Sequence, residues 1–325
     1  MQAEDGKIIP AEITYKNMRE LFAKKRRREA HKGDFGRVLI IAGSRGMAGA
    51  AILCGRGALR AGAGLTTFFV PDELLPIVQC AVPEAMCLCA NATTPSAAAS
   101  SVENGAFSAT ASSSDLVSTM PLSANLLASY DAIAVGPGLG TEEEAQRVVS
   151  CVLDNYKGKL VLDADALNII AEDKVARSGG MQLRPNVTGT IITPHPGEAA
   201  RLLGATVSEI QADRESAAIA LAEKLGCIVV LKGAGTLVAA KNPATELYVN
   251  TTGNPGMATG GSGDVLTGVI VSFVAQGMAP LTAARAGVFI HGLAGDLAAA
   301  DLGEAGLIAG DLPPYIAGAL KEIAV

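Results

Sequence analysis

The chain has 325 residues, of which 49% are hydrophobic and 18% charged, and its formal net charge is −6. A chain of this length can form one α/β domain with a core large enough to need no disulfide or metal. The acidic balance argues against nucleic acid as the main partner. No apolar run reaches the roughly 18 residues of a membrane span, so we expect no membrane insertion. The six cysteines form no C-x-x-C pair, which predicts reduced thiols in a cytoplasmic protein without a signal peptide.

The first 30 residues predict an N-terminal helical extension, with an amphipathic helix over 13–30 that ends in a basic run. A solvated helix end explains that run better than an anionic docking patch, because cations suit the helix dipole there. From residue 31 to residue 325 the pattern predicts a single domain. Within it, 91–125 is rich in Ser, Ala and Thr, which predicts a mobile surface insertion.

Apolar runs predict the strands of a mostly parallel sheet. The predicted strands are 38–43, 65–70, 131–136, 159–163, 189–193 and 227–231, and then a hairpin of 237–240 and 247–250. The main predicted helices are 50–61, 265–276, 282–300 and 313–322. This alternation predicts a doubly wound α/β domain. Ligands bind at the carboxyl ends of such strands, so the residues that follow each strand are candidate site residues.

The most informative stretch is 254–268, a glycine-rich loop followed by an apolar helix that we expect to begin near Asp264. We expect its glycines to adopt positive φ and to bring N–H groups at a helix N-terminus toward a phosphate. Asp264 is either a general base that takes a proton from an attacking hydroxyl or an N-cap. The four glycines that precede it, Gly256, Gly260, Gly261 and Gly263, favour the general base.

Two other strand ends add candidate groups. Lys232 offers a cation for a phosphate, and the loop 233–235 offers flexible backbone. The alternative interpretation of Lys232 is an ordinary exposed lysine at a strand end. His195 lies between two prolines, and a turn histidine with a satisfied ring is its alternative. The three histidines are too far apart in sequence for a typical zinc site, so we expect Mg²⁺ on phosphate oxygens. Together these groups predict an enzyme that moves a phosphoryl group from a nucleotide to a hydroxyl.

Five motifs, in order over roughly 31–322, resemble those of the NAD(P)H-hydrate dehydratases of the ribokinase-like superfamily. They are G-S with M and G-A in 43–50, G-P-G-L-G in 136–140, D-A-D-A-L-N in 163–168, T-P-H-P-G-E in 193–198 and G-M-A-T-G-G-S-G-D-V-L in 256–266. The resemblance implies a ribokinase-like three-layer αβα sandwich. It also implies repair of hydrated NADH or NADPH, in which ADP or ATP phosphorylates the 6-hydroxyl and elimination follows.

The resemblance also implies roles for particular residues. Asp264 is the expected catalytic base, and no metal ligands are implied. The residues expected to contact the hydrate are Ala50, Gly138, His195 and Asp264. The residues expected to contact the nucleotide are Lys232, Gly233, Ala234, Gly235, Thr236 and Gly263. A homodimer or homotetramer is the expected assembly.

Two alternatives remain at this point. A vitamin-precursor alcohol kinase of the same superfamily would share the fold and the G-S-G-D end of the loop, but we would not expect it to carry T-P-H-P-G-E. A nucleotide-binding regulatory subunit could lose the base, so the retained Asp264 argues against it.

Overall fold

The structure is a computed structural model that describes residues 3–4, 7–23, 26–89, 122–176, 189–241 and 244–324. The strands in this part of the chain are β1 (Ala3–Glu4), β2 (Lys7–Ile8), β3 (Ala11–Glu12), β4 (Arg37–Ile41), β5 (Leu65–Val70), β6 (Met86–Cys89), β7 (Ala132–Val135), β8 (Lys159–Leu162), β9 (Ile191–Ile192), β10 (Ile228–Leu231), β11 (Leu237–Lys241) and β12 (Thr245–Val249). The helices there are α1 (Tyr15–Phe22), α2 (Ala48–Arg60), α3 (Leu75–Ala81), α4 (Ala124–Leu127), α5 (Glu143–Asn155), α6 (Ala164–Ala176), α7 (Pro196–Leu203), α8 (Val207–Ala212), α9 (Arg214–Leu225), α10 (Ser262–Ala275), α11 (Pro280–Leu302) and α12 (Leu312–Ile323).

Ten strands form one sheet in the order β3-β12-β11-β10-β9-β8-β7-β4-β5-β6. The pairs from β10 to β6 are all parallel. β11 runs antiparallel to both β10 and β12, which confirms the predicted hairpin. β1 and β2 form a separate antiparallel pair.

Helices cover both faces of the sheet, as β4 shows. Val38 and Ile40 belong to one core cluster, while Leu39 and Ile41 belong to the other. Successive strand residues point to opposite faces, so a strand buried on both sides must be apolar throughout. Helices α2, α10, α11 and α12 supply the first cluster, and α5, α6, α7 and α9 supply the second. The predicted three-layer αβα sandwich with a mostly parallel sheet is therefore confirmed.

The chain order reverses at β4, which pairs with β5 on one side and with β7 on the other. The loops after β4 and β7 meet there, and the N–H of Gly43 donates to the carbonyl of Pro137 at 2.8 Å. A crevice at such a reversal is where open α/β sheets bind ligands.

Helices α2 and α10 run side by side from this edge at very short range. A Cβ on Gly57 would lie 2.5 Å from the carbonyl oxygen of Val265, and one on Gly268 would lie 1.9 Å from that of Cys54. Both glycines are needed because their backbones pack directly against the facing helix. The close contact brings the N-termini of the two helices to the same edge of the sheet.

The predicted helix over 13–30 is too long. Thr14 caps α1, and the helix ends at Phe22. Beyond it, Arg26 donates to the carbonyl of Gly62 at 2.9 Å and lies over the ring of Phe35, so this part of the basic run packs against the domain. Tertiary contacts of Arg26 thus replace the helical continuation that charge and amphipathicity suggested.

The division of the chain at residue 30 and the insertion over 91–125 stay predictions. Strand β3 lies within the first 30 residues, yet it pairs with β12 at the edge of the main sheet. The insertion lies outside the described residues except for 122–125, where Leu122 is buried and α4 begins. Among the described helices, none has both the length and the apolar character that crossing a membrane requires.

Candidate active site

The glycine-rich stretch forms a tight turn into α10. Gly261 is the N-cap of that helix, with φ of +94°. Asp264 therefore lies within the first helical turn, and the N-cap alternative for it is wrong. The expectation of positive φ is correct for Gly261 but wrong for Gly256, Gly260 and Gly263. The strain that only glycine relieves is thus confined to one residue of the turn.

Close contacts fix the position of this turn. A Cβ on Gly261 would lie 2.4 Å from Cδ1 of Leu53, on α2. A Cβ on Gly263 would lie 3.2 Å from Nζ of Lys232, at the end of β10. The first turn of α10 therefore packs against α2 on one side and against the predicted nucleotide-binding lysine on another.

The environment of Asp264 makes its carboxyl group a proton acceptor near neutral pH. Burial and then the negative charge of Asp163 raise the pKa of Asp264, Lys232 partly opposes both, and the resulting pKa is about 7. Asp165 and Glu198 add smaller contributions in the same direction as Asp163. A general base works best when its pKa lies close to the working pH.

A buried ion pair lies beside this carboxyl group. Nζ of Lys232 is 2.7 Å from Oδ1 of Asp163, and Thr267 donates its hydroxyl to the other Asp163 oxygen at 2.7 Å. Glu198 lies 3.8 Å from the same Nζ. Burial lowers the pKa of Lys232, but Asp163 and Glu198 outweigh it, so the pKa is raised overall and the amine stays charged. The side chain is only 19% exposed, so the exposed-lysine alternative is wrong.

His195 caps α7 through its own imidazole ring. Its Nδ1 accepts the N–H of Gly197 at 3.0 Å, and its Nε2 lies 3.1 Å from Oε1 of Glu198. Because Nδ1 is an acceptor, the proton of the neutral ring is on Nε2, the nitrogen that lies close to the Glu198 carboxylate. The satisfied-ring alternative therefore holds for Nδ1, which has a hydrogen-bond partner. The side chain remains 47% exposed, which leaves the ring free to contact a ligand.

The loop after β7 packs against the start of α2 in the crevice at the strand-order reversal. Gly138 has φ of +59°, and a Cβ on it would lie 2.8 Å from Cβ of Ala50. The structure thus brings together two of the residues expected to bind the hydrate. The N–H of Gly140 donates to Oδ2 of Asp165 at 2.8 Å and ties this loop to the 163–168 motif. Ala164, the second residue of that motif, has φ of 48°, a strained value for a residue with a side chain.

A cavity of about 710 Å³ opens beside these groups. Its size is typical of small-molecule sites. All six residues expected to contact the nucleotide line it: Lys232, Gly233, Ala234, Gly235, Thr236 and Gly263. Its lining does not include Ala50, Gly138, His195 or Asp264. Six of the predicted site residues therefore line the cavity, and one of them, Gly263, directly precedes Asp264 in the first turn of α10.

The far wall of the cavity comes from α11 and the loop after β12. Asp296 accepts the N–H of Gly253 at 2.8 Å and the side-chain amide of Asn254 at 3.0 Å, which holds that loop in place. His291 is buried, and burial lowers its pKa to about 4, so it is neutral at physiological pH. Within the described chain, its Nε2 atom has no hydrogen-bond partner.

The sequence analysis did not assign several of these residues. Asp163 directly follows a buried strand and Glu198 comes three residues after His195, so strand ends and capping-box spacing could have identified both. Thr267 and His291 lie inside apolar helical runs, where neither residue shows any sequence signal.

The carboxylates do not form a metal cage. Among the described residues, no three His, Cys, Asp or Glu side chains are grouped so that they could hold a metal ion. Lys232 and Thr267 occupy both oxygens of Asp163. This donor set fits Mg²⁺ only as an ion held mainly by phosphate oxygens and water, which is its usual state in phosphoryl-transfer sites.

Comparison with known proteins agrees with the motifs. The family model described as NAD(P)H-hydrate dehydratase matches residues 38–317. A bifunctional NAD(P)H-hydrate repair enzyme of Coxiella burnetii is 42% identical over 90% of this chain, which spans 52% of that enzyme. An ADP-dependent (S)-NAD(P)H-hydrate dehydratase of Neisseria meningitidis is 39% identical over 90% of this chain and 87% of its own length. The chain thus spans about half the length of the bifunctional relatives, and most of the single-activity one.

Solved structures agree as well. The ADP/ATP-dependent NAD(P)H-hydrate dehydratase of Bacillus subtilis, co-crystallised with ATP and Mg²⁺, is 28% identical and superposes with a TM-score of 0.78 over 98% of this chain and 100% of its own. A ribokinase-like superfamily protein of Enterococcus faecalis is 27% identical, with a TM-score of 0.75 over 95% of both chains. The ribokinase-like fold is therefore confirmed, and the chain belongs to the NAD(P)H-hydrate dehydratase family.

Proposed function

We propose that this protein is an ADP- or ATP-dependent NAD(P)H-hydrate dehydratase. The observation that carries the proposal is the placement of Asp264. It lies in the first turn of α10 with a pKa of about 7, directly after Gly263 of the 710 Å³ cavity. The charge of Asp165, which accepts the N–H of Gly140 in the loop of Gly138, also acts on it. A base in this position can take the proton of a substrate hydroxyl while the phosphate of the nucleotide approaches the oxygen of that hydroxyl from the cavity.

In this proposal the nucleotide occupies the cavity, with its phosphates toward Lys232 and the N-terminus of α10. A helix N-terminus attracts anions because its first N–H groups have no carbonyl partner within the helix. Here the N–H of Ser262 donates to the carbonyl of Thr259 at 3.3 Å, so the N–H groups of Gly263 and Asp264 are the ones proposed to meet the phosphates. The ammonium group of Lys232 adds a positive charge, although Asp163 at 2.7 Å balances much of it. Lys232 is therefore a fixed donor held in position by Asp163 rather than a mobile cation.

The hydrate occupies the crevice beside Gly138, Ala50 and the exposed face of His195. Asp264 takes the proton of the 6-hydroxyl as its oxygen attacks the terminal phosphorus, and the nucleotide leaves one phosphate shorter. The phosphate ester then departs from the ring together with a proton of the neighbouring carbon, which restores the double bond. Mg²⁺, carried by the phosphate oxygens, supplies charge neutralisation when it is bound.

The decisive experiment uses the purified protein with hydrated NADH, ADP or ATP, and Mg²⁺. We expect the absorbance of the reduced nicotinamide to recover, and one phosphate to be released for each hydrate consumed. AMP is the other product from ADP, and ADP is the other product from ATP. A stable phosphorylated product without recovery of absorbance would instead support a kinase. No turnover with either nucleotide would contradict the proposal.

We further propose that the protein acts in the cytoplasm as a homodimer or homotetramer. All six cysteines are thiols outside any disulfide, which suits a reducing compartment. Light scattering on the purified protein tests the assembly, and a monomer at micromolar concentration would contradict it. Fractionation of the source cells tests the compartment.

A further inference from the structure

Arg214, the first residue of α9, contacts the loop that follows β10 from behind. One terminal nitrogen of its guanidinium, Nη2, donates to the carbonyl of Leu231 at 3.2 Å and to that of Lys232 at 3.3 Å. The other, Nη1, donates to the carbonyl of Ala234. Arg214 is not among the residues that line the 710 Å³ cavity, whereas 232–236 all line it. The loop therefore separates the guanidinium group from the cavity.

The glycines of this loop are required for that contact. A Cβ on Gly233, whose φ is +140°, would lie 2.9 Å from Nη2 of Arg214. Gly235 has φ of +60°, which side chains also disfavour. The loop is therefore shaped so that its carbonyls, rather than side chains, face the guanidinium group.

The direction of these carbonyls determines the direction of the neighbouring N–H groups. In a planar trans peptide, the C=O of one residue and the N–H of the next point in opposite directions. Since the carbonyls of Lys232 and Ala234 point at Arg214, the N–H groups of Gly233 and Gly235 point away from it, toward the cavity side. Neither N–H donates to a backbone carbonyl elsewhere in the described chain. Such converging backbone N–H groups form an anion-binding concavity.

We infer that Arg214 is a positioning residue for nucleotide phosphate. It holds the carbonyls of the loop on one side, so that the N–H groups of Gly233 and Gly235 are presented to the phosphate on the other. The inference rests on the proposed use of a nucleotide, and it adds a residue outside the cavity to the binding machinery. The positive charge of the guanidinium group also favours phosphate binding, because the peptide dipoles between it and the anion are aligned with their N–H ends toward the anion.

The two terminal nitrogens of arginine make this arrangement specific. A guanidinium group bonds three carbonyls at once through its fixed planar fork. Lysine supplies the same charge from one nitrogen, and glutamine supplies a single neutral amide. Arg214→Lys therefore removes the fork but keeps the charge, whereas Arg214→Gln removes both.

The test measures ADP affinity by calorimetry, steady-state KM and kcat with hydrated NADH, and melting temperature for wild type, Arg214→Lys and Arg214→Gln. We expect Arg214→Gln to weaken ADP binding roughly 10- to 100-fold, or about 1.4–2.8 kcal/mol, with Arg214→Lys between it and wild type. The KM for nucleotide should rise by a similar factor, while the KM for hydrate stays within about twofold. Arg56→Gln is the matched control, because Arg56 donates to the carbonyl of Ala81 at 3.1 Å but does not line the cavity.

The outcomes separate this inference from the proposed function. If wild type binds neither ADP nor ATP, the proposed function fails and the inference fails with it. If wild type binds ADP and the Arg214 variants bind it equally well, the proposed function stands and the inference is overturned. A fall in melting temperature with unchanged nucleotide KM at a temperature where the variants remain folded would show a purely structural role and would overturn it as well.

Discussion

Replacing Asp264 with Asn tests the base assignment and the electrostatics of the site together. Asn has the same shape as Asp and cannot ionise, so packing in the first turn of α10 is preserved. The N-cap is Gly261, so the substitution removes no cap. What changes is the negative charge, which lies beside Asp163 in a buried site.

The effect on stability follows from the raised pKa. Burial, then Asp163, moves the pKa of Asp264 from 3.8 to about 7, a difference worth about 4 kcal/mol. The folded state holds this proton more tightly than the unfolded state, so the wild type loses stability as the pH rises from about 4 through 7. We expect Asp264→Asn to be more stable than wild type by up to about 4 kcal/mol at pH 8, and this gain to fall toward zero near pH 4.

The effect on the rate has the opposite sign. Without a proton acceptor the hydroxyl remains a weak nucleophile, and loss of a general base costs about 10²–10⁴ in rate, or roughly 3–5 kcal/mol of barrier. In wild type, kcat/KM should fall as the pH drops below about 7, because the carboxyl group becomes protonated. Nucleotide affinity should be unchanged or slightly higher in the variant, since a negative charge near the phosphates is removed.

The measurements are single-turnover rate, ADP affinity and denaturant unfolding between pH 4 and 8, all on one preparation. Asp301→Asn is the control, because Asp301 is an exposed carboxylate that accepts the hydroxyl of Tyr315 at 2.9 Å on the protein surface. A rate loss below about tenfold would refute the base assignment. A stability difference that does not change with pH would refute the electrostatic account, even if the rate falls.

Three further changes probe the two parts of the site and the undescribed segment. Gly263→Val should abolish ADP binding measured by calorimetry, because a Cβ at this position would lie 3.2 Å from Nζ of Lys232 and the side chain would occupy part of the cavity. Unchanged affinity would show that the phosphate binds elsewhere. Gly138→Val should raise the KM for hydrate and leave ADP affinity unchanged. The φ of +59° and the 2.8 Å distance from a Cβ at this position to Ala50 mean that a side chain adds strain of about 1–3 kcal/mol. An unaltered KM for hydrate would show that this loop is not part of the substrate site. Replacing 95–118 with a short Gly/Ser linker should preserve turnover and melting temperature, and loss of activity in a folded variant would contradict this.

The sheet was predictable because its strands are buried on both faces. Such strands are continuous apolar runs, as in Val38 to Ile41, and the pattern needs no information from the rest of the chain. The helix over 13–30 was mispredicted for the opposite reason. Its charges fit a helix end, but the contacts of Arg26 with Gly62 and Phe35 come from residues distant in sequence. Local pattern cannot report such contacts.

The same distinction applies to the site. The loop proposed to bind the nucleotide follows a buried strand and contains two glycines, so the position of Lys232 and its successors beside a cavity is predictable from sequence. Sequence alone does not settle the N-cap alternative for Asp264, because it depends on whether the helix begins at residue 262 or 265. Sequence analysis assigns neither Thr267 nor Arg214, because each contacts partners far away in sequence. Thr267 bonds Asp163, and Arg214 bonds the carbonyls of Leu231, Lys232 and Ala234.

The first turn of α10 would allow one short segment to serve both ligands of the proposed reaction. Successive residues of an α-helix project about 100° apart, so adjacent positions face different directions. Gly263 lines the cavity, whereas Asp264 does not, although the two are neighbours in sequence. In the proposed reaction, a residue without a side chain lets phosphate approach the helix N-terminus, and the next residue offers its carboxyl group to the substrate hydroxyl. One rigid turn would then set the distance between the hydroxyl and the transferred phosphate, and Leu53 of α2 packs against that turn at Gly261.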